Sequence, residues 1–300
     1  MEAGEPAPFV VGAARSGTTL LRMMLDAHGQ LAIPFETQLL PELMDARAGG
    51  ADAQALAEML VTHRRWPDFG LDADEIRAAF TSIEPFDLAE AMRAFYRAYA
   101  ASKGKPRWGD KSPGYALHVS RIGALMPEAH FVHLIRDGRD VRLSQMRRGM
   151  NHPTPAKHAR RWKRRIQTAR RQGTELGRYM ELRYESLIDD PEPELRRICE
   201  FVALDFDPGM LSYHESARER LGEIDRDLRP GRENAEMRER PLFKASDRLD
   251  FHKLTQEPPR ADRVAKWKHE MPKGDVAEFE RVAGDLLSEL GYEVAAKASR

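Results

Sequence analysis

Residues 9–21 read Phe9-Val10-Val11-Gly12-Ala13-Ala14-Arg15-Ser16-Gly17-Thr18-Thr19-Leu20-Leu21, and this stretch decides the fold. Phe9 to Val11 is a short apolar run following Pro6 and Pro8, the pattern of a buried strand. Residues 12–17 form a small-residue turn. Residues 18–28 then carry Leu20, Leu21, Met24 and Leu25 at helical spacing. The chain therefore opens as strand, glycine-containing loop and helix. Free backbone N–H groups at such a helix N-terminus attract anions. Gly17 permits close backbone approach. Thr18 and Thr19 add hydroxyl donors, and Arg15 adds a planar cationic fork suited to phosphate oxygens. Gly12 and Gly17 stand at the spacing of the triphosphate loop G-x-x-x-x-G-K-[ST], but Thr18 occupies the lysine position. That loss argues against triphosphate chemistry and leaves a 5′-phosphate open. A ligand-free turn is the other reading, because Ser, Gly and Thr are ordinary turn and cap residues.

The same alternation continues outward. Residues 130–135, HFVHLI, predict a second strand, with a helix over 138–148. A basic helix is expected over 157–175, a third strand over 179–184, a helix over 193–201 and a final amphipathic helix over 275–291. Between the first two strands, 51–63, 73–80 and 87–101 have helical periodicity, punctuated by Pro67, Gly70 and Pro85. Strands alternating with helices predict an α/β fold: a P-loop-like parallel sheet flanked by helices. The chain reads as a single domain, 1–300, with a helical insertion over about 36–105. Residues 218–259 are rich in charge, Gly and Pro. They read either as a mobile loop that covers a site or as an inert surface excursion.

Composition sets the boundaries. The 300 residues are 41% hydrophobic and 32% charged, enough for both a core and a solvated surface. Lys plus Arg and Asp plus Glu total 48 each, so no global attraction to nucleic acid or anionic membrane is expected. Any anion site must be built locally. The basic stretch from Arg160 to Arg165, with Arg170 and Arg171, reads first as a solvated helix face, ahead of a nucleic-acid or membrane contact. Contact with an acidic acceptor is a further reading of it. Cys199 is the single cysteine, and no Cys/His cluster has metal-ligand spacing. The opening MEAGEPAPFVVG lacks a signal-peptide pattern, and no run reaches the ~20 apolar residues of a membrane helix. A reducing cytoplasm is the expected location, and no metal is expected.

After the second predicted strand come Arg136-Asp137-Gly138-Arg139-Asp140, then Ser144 and Arg148, which share a helix face at i, i+4. Arg136 at the strand end can point into the same crevice, the usual ligand site of parallel sheets. Two anion cradles suggest a ligand with two phosphate-type groups, the shape of 3′-phosphoadenosine 5′-phosphosulfate (PAPS). At this point the sequence resembles the PAPS-dependent sulfotransferases, most closely the tyrosylprotein sulfotransferase branch. The matching residues are Arg15-Ser16-Gly17-Thr18-Thr19-Leu20, Leu25-Asp26-Ala27-His28, Glu36-Thr37, Lys111 and Arg136-Asp137-Gly138-Arg139 with Ser144 and Arg148. Arg183-Tyr184-Glu185-Ser186-Leu187, Asp190-Pro191 and Lys266-Trp267 follow in the family's order. The resemblance implies that residues 15–19 hold the 5′-phosphosulfate and that Arg136, Ser144 and Arg148 hold the 3′-phosphate. It implies Tyr184 near the adenine, and residues 251–260 with Lys266 closing over the nucleotide.

Sulfuryl transfer needs in-line attack and stabilisation of charge on the leaving group, as phosphoryl transfer does. Lys111 is the candidate cation at the bridging oxygen, with Arg15 on the 5′-phosphate. A surface lysine is the plainer reading of Lys111 without the resemblance. The tyrosylprotein branch places its catalytic glutamate at Glu36. A free carboxylate near 4.3 is a weak base, so burial or a nearby sulfonate is expected to raise it. His28 is the alternative base, although a histidine at a helix end also reads as structural. The branch has basic residues just after its glutamate. Here Gln38 and Glu42 occupy those positions, so an acidic peptide is not attracted and a small-molecule hydroxyl acceptor is expected. A nucleotide-dependent small-molecule kinase and a non-catalytic nucleotide-binding module remain the alternative functions.

Overall fold

A computed structural model of the chain describes residues 4–147, 154–222, 249 and 253–294. In chain order it begins with β1 (Ala7–Gly12), α1 (Thr18–Asp26) and β2 (Leu31–Ala32). The insertion follows as α2 (Leu40–Ala48), α3 (Ala53–Val61), α4 (Ala73–Thr81) and α5 (Leu88–Ser102). The chain returns through β3 (Arg107–Trp108), β4 (Asp110–Lys111), α6 (Val119–Leu125), β5 (Ala129–Ile135) and α7 (Gly138–Met146). Next are α8 (Pro155–Leu176), β6 (Tyr179–Arg183), α9 (Tyr184–Asp189), α10 (Pro191–Phe201) and α11 (Tyr213–Leu221). A short helix Trp267–Glu270 and a long one, Lys273–Glu289, lie at the C-terminal end of the described chain.

Four strands form one sheet in the order β4-β1-β5-β6, every pair parallel. Val10 pairs with Lys111 on one side and with Val132 on the other. β1 is buried along its whole length because helices cover both faces. Such a strand reads as an unbroken apolar run. Alternate residues feed opposite layers: Phe9 and Val11 join the core under the insertion, while Val10 joins the core around α1 and α9 to α11. A third cluster packs α8 against the helix Lys273–Glu289 around Trp162 and Phe279. Because all four strands run the same way, the turns after β1, β4, β5 and β6 emerge at one sheet edge. That edge carries the site.

The insertion is helical as expected. α5 buries Leu88, Met92, Phe95, Tyr96 and Tyr99, an i, i+3, i+4 stripe. Asp87 caps it by accepting from Glu90 N at 2.9 Å, worth about 1 kcal/mol. Phe95 packs on Phe69 with ring centroids 5.1 Å apart, and its burial contributes roughly 1.5–3 kcal/mol.

Several expectations need adjustment. The first helix stops at Asp26, leaving His28 beyond its end. The third strand stops at Arg183, and Tyr184 opens α9 instead. β4 and the two-stranded sheet of β2 and β3 have no counterpart in the sequence reading. The stretch 218–259 begins inside α11 and closes with the 3₁₀ turn Lys253–Gln256 and irregular chain over 257–259; residues 223–248 and 250–252 lie outside the described residues. No described helix is long and apolar enough to cross a membrane.

Candidate active site

The loop after β1 is shaped by two left-handed residues, Arg15 at φ 75° and Gly17 at φ 97°. Such turns point successive N–H groups to one side and make an anion-binding concavity. A Cβ at Gly17 would stand 2.4 Å from Cδ2 of Tyr184, so glycine answers both the dihedral and the ring packed against it. α1 begins at Thr18 with no side chain capping its first turn, which leaves N–H donors and the positive end of the helix dipole at the loop. Ser16 is fully buried, and its Oγ has no hydrogen-bond partner among the described residues.

At the next strand end, Arg136 donates to the carbonyl of Arg15 at 3.3 Å and to that of Arg263 at 2.8 Å. Its guanidinium lies 4.5 Å from the ring centre of Tyr184. Arg15 Nε donates to Ser144 Oγ at 3.2 Å. The two expected anion cradles are thus one connected crevice. Arg15, Gly17, Thr18, Thr19, Arg136, Ser144, Tyr184 and Lys266 all line a single pocket. Arg148 lies outside the described residues. Arg147 beside it lines the pocket and pairs with Glu270.

Sequence reading missed Arg147 and Arg263 and did not single out Arg260 within the expected cover 251–260; the three bring the basic lining to six side chains against one carboxylate, Asp140. Burial raises the Asp140 carboxyl, with Arg136 opposing. Asp140 also accepts from Trp267 N at 2.9 Å, which holds the C-terminal segment over the pocket. Thr255, Pro258 and Pro259 form the same roof, and Tyr213 of α11 anchors it by donating to the carbonyl of Glu257 at 2.6 Å. Lys266 has its Nζ 3.9 Å from both Asp262 and Glu270, and burial together with Arg263 and Arg147 lowers its pKa. Arg139 points elsewhere. It is buried between Asp137 and Glu280 and stacks 3.5 Å over Trp267, a strut tying α7 to the C-terminal helices.

Glu36 and Lys111 meet at a second point. The register of β4 puts Lys111 beside Val10, two residues before Gly12. Its Nζ lies 3.2 Å from Glu36 Oε2, and Arg65 of the α3–α4 connection lies 3.5 Å from the same oxygen. The Gln38 amide donates to Oε1. Neither Glu36 nor Lys111 lines the six-cation pocket. Burial is the largest single influence on Glu36 and pushes its pKa up, as expected. Lys111 and Arg65, with the hydrogen bonds from Gln38 and Lys111, together outweigh it and hold the carboxyl at about 2. The expected net rise is therefore reversed: the paired cations win over desolvation. Lys111 is 1% exposed, not the surface lysine of the plainer reading. Burial lowers its pKa, and Glu36 opposes that shift.

Glu36 is positioned from both sides. On the α1 side, Arg22 donates to the carbonyl of Ile33 at 2.8 Å and Asp26 accepts from Ile33 N at 2.8 Å. On the other, Thr37 Oγ1 donates to Asp110 Oδ2 at 2.5 Å and lies 2.9 Å from Tyr115 OH. Ser112 Oγ accepts from Gln38 N at 3.1 Å, and Tyr115 OH accepts from Leu40 N at 3.0 Å. Tyr96 donates to Asp110 at 3.0 Å. Burial raises Asp110 to about 6 against these donors. His28 takes the structural role: its Nδ1 accepts from Gln30 N at 3.0 Å, so its Nε2 donates to the carbonyl of Asp205 at 2.9 Å. Both ring nitrogens are thereby occupied by backbone.

The sheet edge gathers cations around an uncapped helix N-terminus, with a buried lysine paired to a half-buried carboxylate one strand away. The family model described as "Sulfotransferase family" matches residues 6–208. The chain belongs to the sulfotransferase family, which sets aside the kinase and non-catalytic readings. Within it, the chain stands close to the tyrosylprotein branch. It is 32% identical over 215 residues to a putative protein-tyrosine sulfotransferase of Caenorhabditis briggsae, covering 69% of each chain. It is 25% identical over 297 residues to the protein-tyrosine sulfotransferase of Drosophila melanogaster, covering 96% of this chain and 52% of the fly protein. Among solved structures, the sulfotransferase domain from the curacin biosynthetic pathway shares the fold, with a TM-score of 0.63 at 22% identity over 97% of this chain and 99% of that one.

Proposed function

We propose that this chain transfers the sulfuryl group of PAPS to a hydroxyl acceptor, with Glu36 as base and Lys111 and Arg15 as the cations beside the reacting group. One observation carries the reading: Arg15, Arg136, Ser144 and Tyr184 touch one another around a pocket with six cations and one carboxylate. That donor set fits a ligand with two separate anionic groups joined by an aromatic base. The partnerless Ser16 hydroxyl and the open α1 N-terminus fit the 5′ end. Arg136 and Ser144, with Arg148 by resemblance, fit the 3′-phosphate, and Tyr184 fits the adenine.

When bound, the donor supplies the sulfuryl group and a phosphate leaving group. The loop N–H groups and Arg15 orient the 5′ end and stabilise the charge that develops there. Lys111 compensates the same charge from β4. An anion that draws on the Lys111 charge weakens its hold on Glu36. Burial then raises the carboxyl and lets it accept the hydroxyl proton. The scheme uses no metal ion.

For the acceptor, we propose a small molecule bearing a hydroxyl. The names of the curated relatives favour a second reading, a tyrosine on a protein. Gln38 and Glu42 give no basic patch next to Glu36, but Arg65 supplies one from the α3–α4 connection. The test is transfer of ³⁵S from labelled donor across phenols, sugars, lipids and tyrosine peptides. Label must appear in at least one hydroxyl class, and none in any class refutes the reading.

A further inference from the structure

Ala13 and Ala14, just before Arg15, border a second cavity of about 480 Å³ that shares no lining residue with the six-cation pocket. Its cations come from α8, which presents Arg161, Arg164 and Arg165 at i, i+3 and i+4, one helix face. Gln145 completes the wall, donating to the carbonyl of Ala14 at 2.9 Å. Arg165 reaches the carbonyl of Gly12 at 3.3 Å. Among the described residues, the wall holds no carboxylate. Two other basic residues of the helix are paired: Lys163 with Asp285, and Arg170 with Glu181 and Glu289. Among the described residues, no carboxylate pairs with Arg161, Arg164 or Arg165. Burial lowers the pKa of Arg165, and Arg164 lowers it further. Three guanidinium groups on one wall, with no counter-charge among the described residues, offer several donors to a bound anion, and arginine forks suit oxyanions.

A short segment of chain also ties the cavity wall to the strand that carries Lys111. The 3₁₀ turn Pro113–Leu117 runs from just beyond Lys111 to the cavity wall at Leu117. The four steps of this turn at ~2 Å rise per residue span about 8 Å, the scale of a small aromatic acid.

Resting on the sulfuryl-transfer reading above, we propose that this cavity binds an acid group carried by the acceptor, so that the preferred acceptor bears a carboxylate, sulfate or phosphate besides the hydroxyl that is modified. The concave wall suits one compact group. The expected departure from a neutral phenol is in KM and not in kcat, because the contact is made equally in the ground and transition states.

The test is calorimetric titration of the whole chain, saturated with adenosine 3′,5′-bisphosphate. One arm compares 3-(4-hydroxyphenyl)propanoate with its amide, and the other a tyrosine peptide flanked by Glu with its Gln counterpart. The wild type is expected to prefer the acid at least tenfold in one arm, which also tells a small-molecule source from a peptide. Arg161→Gln/Arg164→Gln, at two exposed positions of α8, is expected to abolish that preference and to bind the bisphosphate as before. No preference in either arm, or a preference that survives in the variant, overturns the proposal. Bisphosphate binding is read separately. Its absence would sink the donor reading, while inorganic sulfate titrated against wild type and variant would still decide whether the arginine cavity takes an anion.

Discussion

The Glu36 carboxylate is where single residues decide the chemistry. Glu36→Gln keeps the size and the contact with Lys111 but cannot take a proton. We expect kcat to fall by about 10²–10⁴ with bisphosphate affinity nearly unchanged, measured by ³⁵S transfer and calorimetry side by side. Arg65 helps hold Glu36 at about 2, a folded value depressed below the unfolded one. Its contribution to stability is therefore present above pH 4.5 and fades as pH falls toward 2. Arg65→Gln removes one of the two cations, so the acid limb of the rate profile should move to higher pH. A limb that stays in place contradicts the assignment. At this scale the sequence was readable only in part. Arg15, Glu36 and Lys111 could be singled out because each sits in a short ordered motif. Arg65 could not, since it arrives from a connection 29 residues away with no periodic or motif signal.

Among elements, the β1 turn and the β4 segment make the sharpest demands. Gly17→Ala places a Cβ against Tyr184 at a left-handed φ. The strain alone is about 1–3 kcal/mol. The variant should lose stability by at least that much in chemical denaturation and bind the bisphosphate weakly. An unchanged midpoint and affinity would mean the loop is not built around this contact. Asp110 carries a folded value near 6, raised by burial. The sign runs opposite to Glu36: its protonated form is favoured in the fold, and stability is lost as pH rises from about 4 through 6. Thr37 and Tyr96 both donate to one oxygen, Oδ2, which an amide oxygen can replace. Asp110→Asn should therefore gain on the wild type as pH rises through this window, a trend that denaturation at pH 4.5 and 7 would read. Phe9-Val10-Val11 and HFVHLI were legible as strands because both faces are buried and turn residues bound them. β4 was not, because two polar residues, Asp110 and Lys111, carry no period and join the sheet only through tertiary pairing. β2 and β3 escaped for the same reason of length.

For the molecule as a whole, parallel strand order brings distant motifs to one edge, and this is what the ordered set of short motifs encodes. The roof from 255 to 266 is anticipated over 251–260 and at Lys266. Its arginines Arg260 and Arg263 lie in irregular chain, where no repeating pattern marks which side chains turn inward. The central claim is that one crevice grips both ends of a doubly charged adenosine ligand. Calorimetry with adenosine 3′,5′-bisphosphate and adenosine 5′-monophosphate, on wild type and on Arg136→Ala, measures that directly. The account predicts that the bisphosphate binds at least tenfold tighter than the monophosphate and that Arg136→Ala erases most of the difference. Equal affinity for the two nucleotides in the wild type, or a difference untouched by losing Arg136, would contradict it.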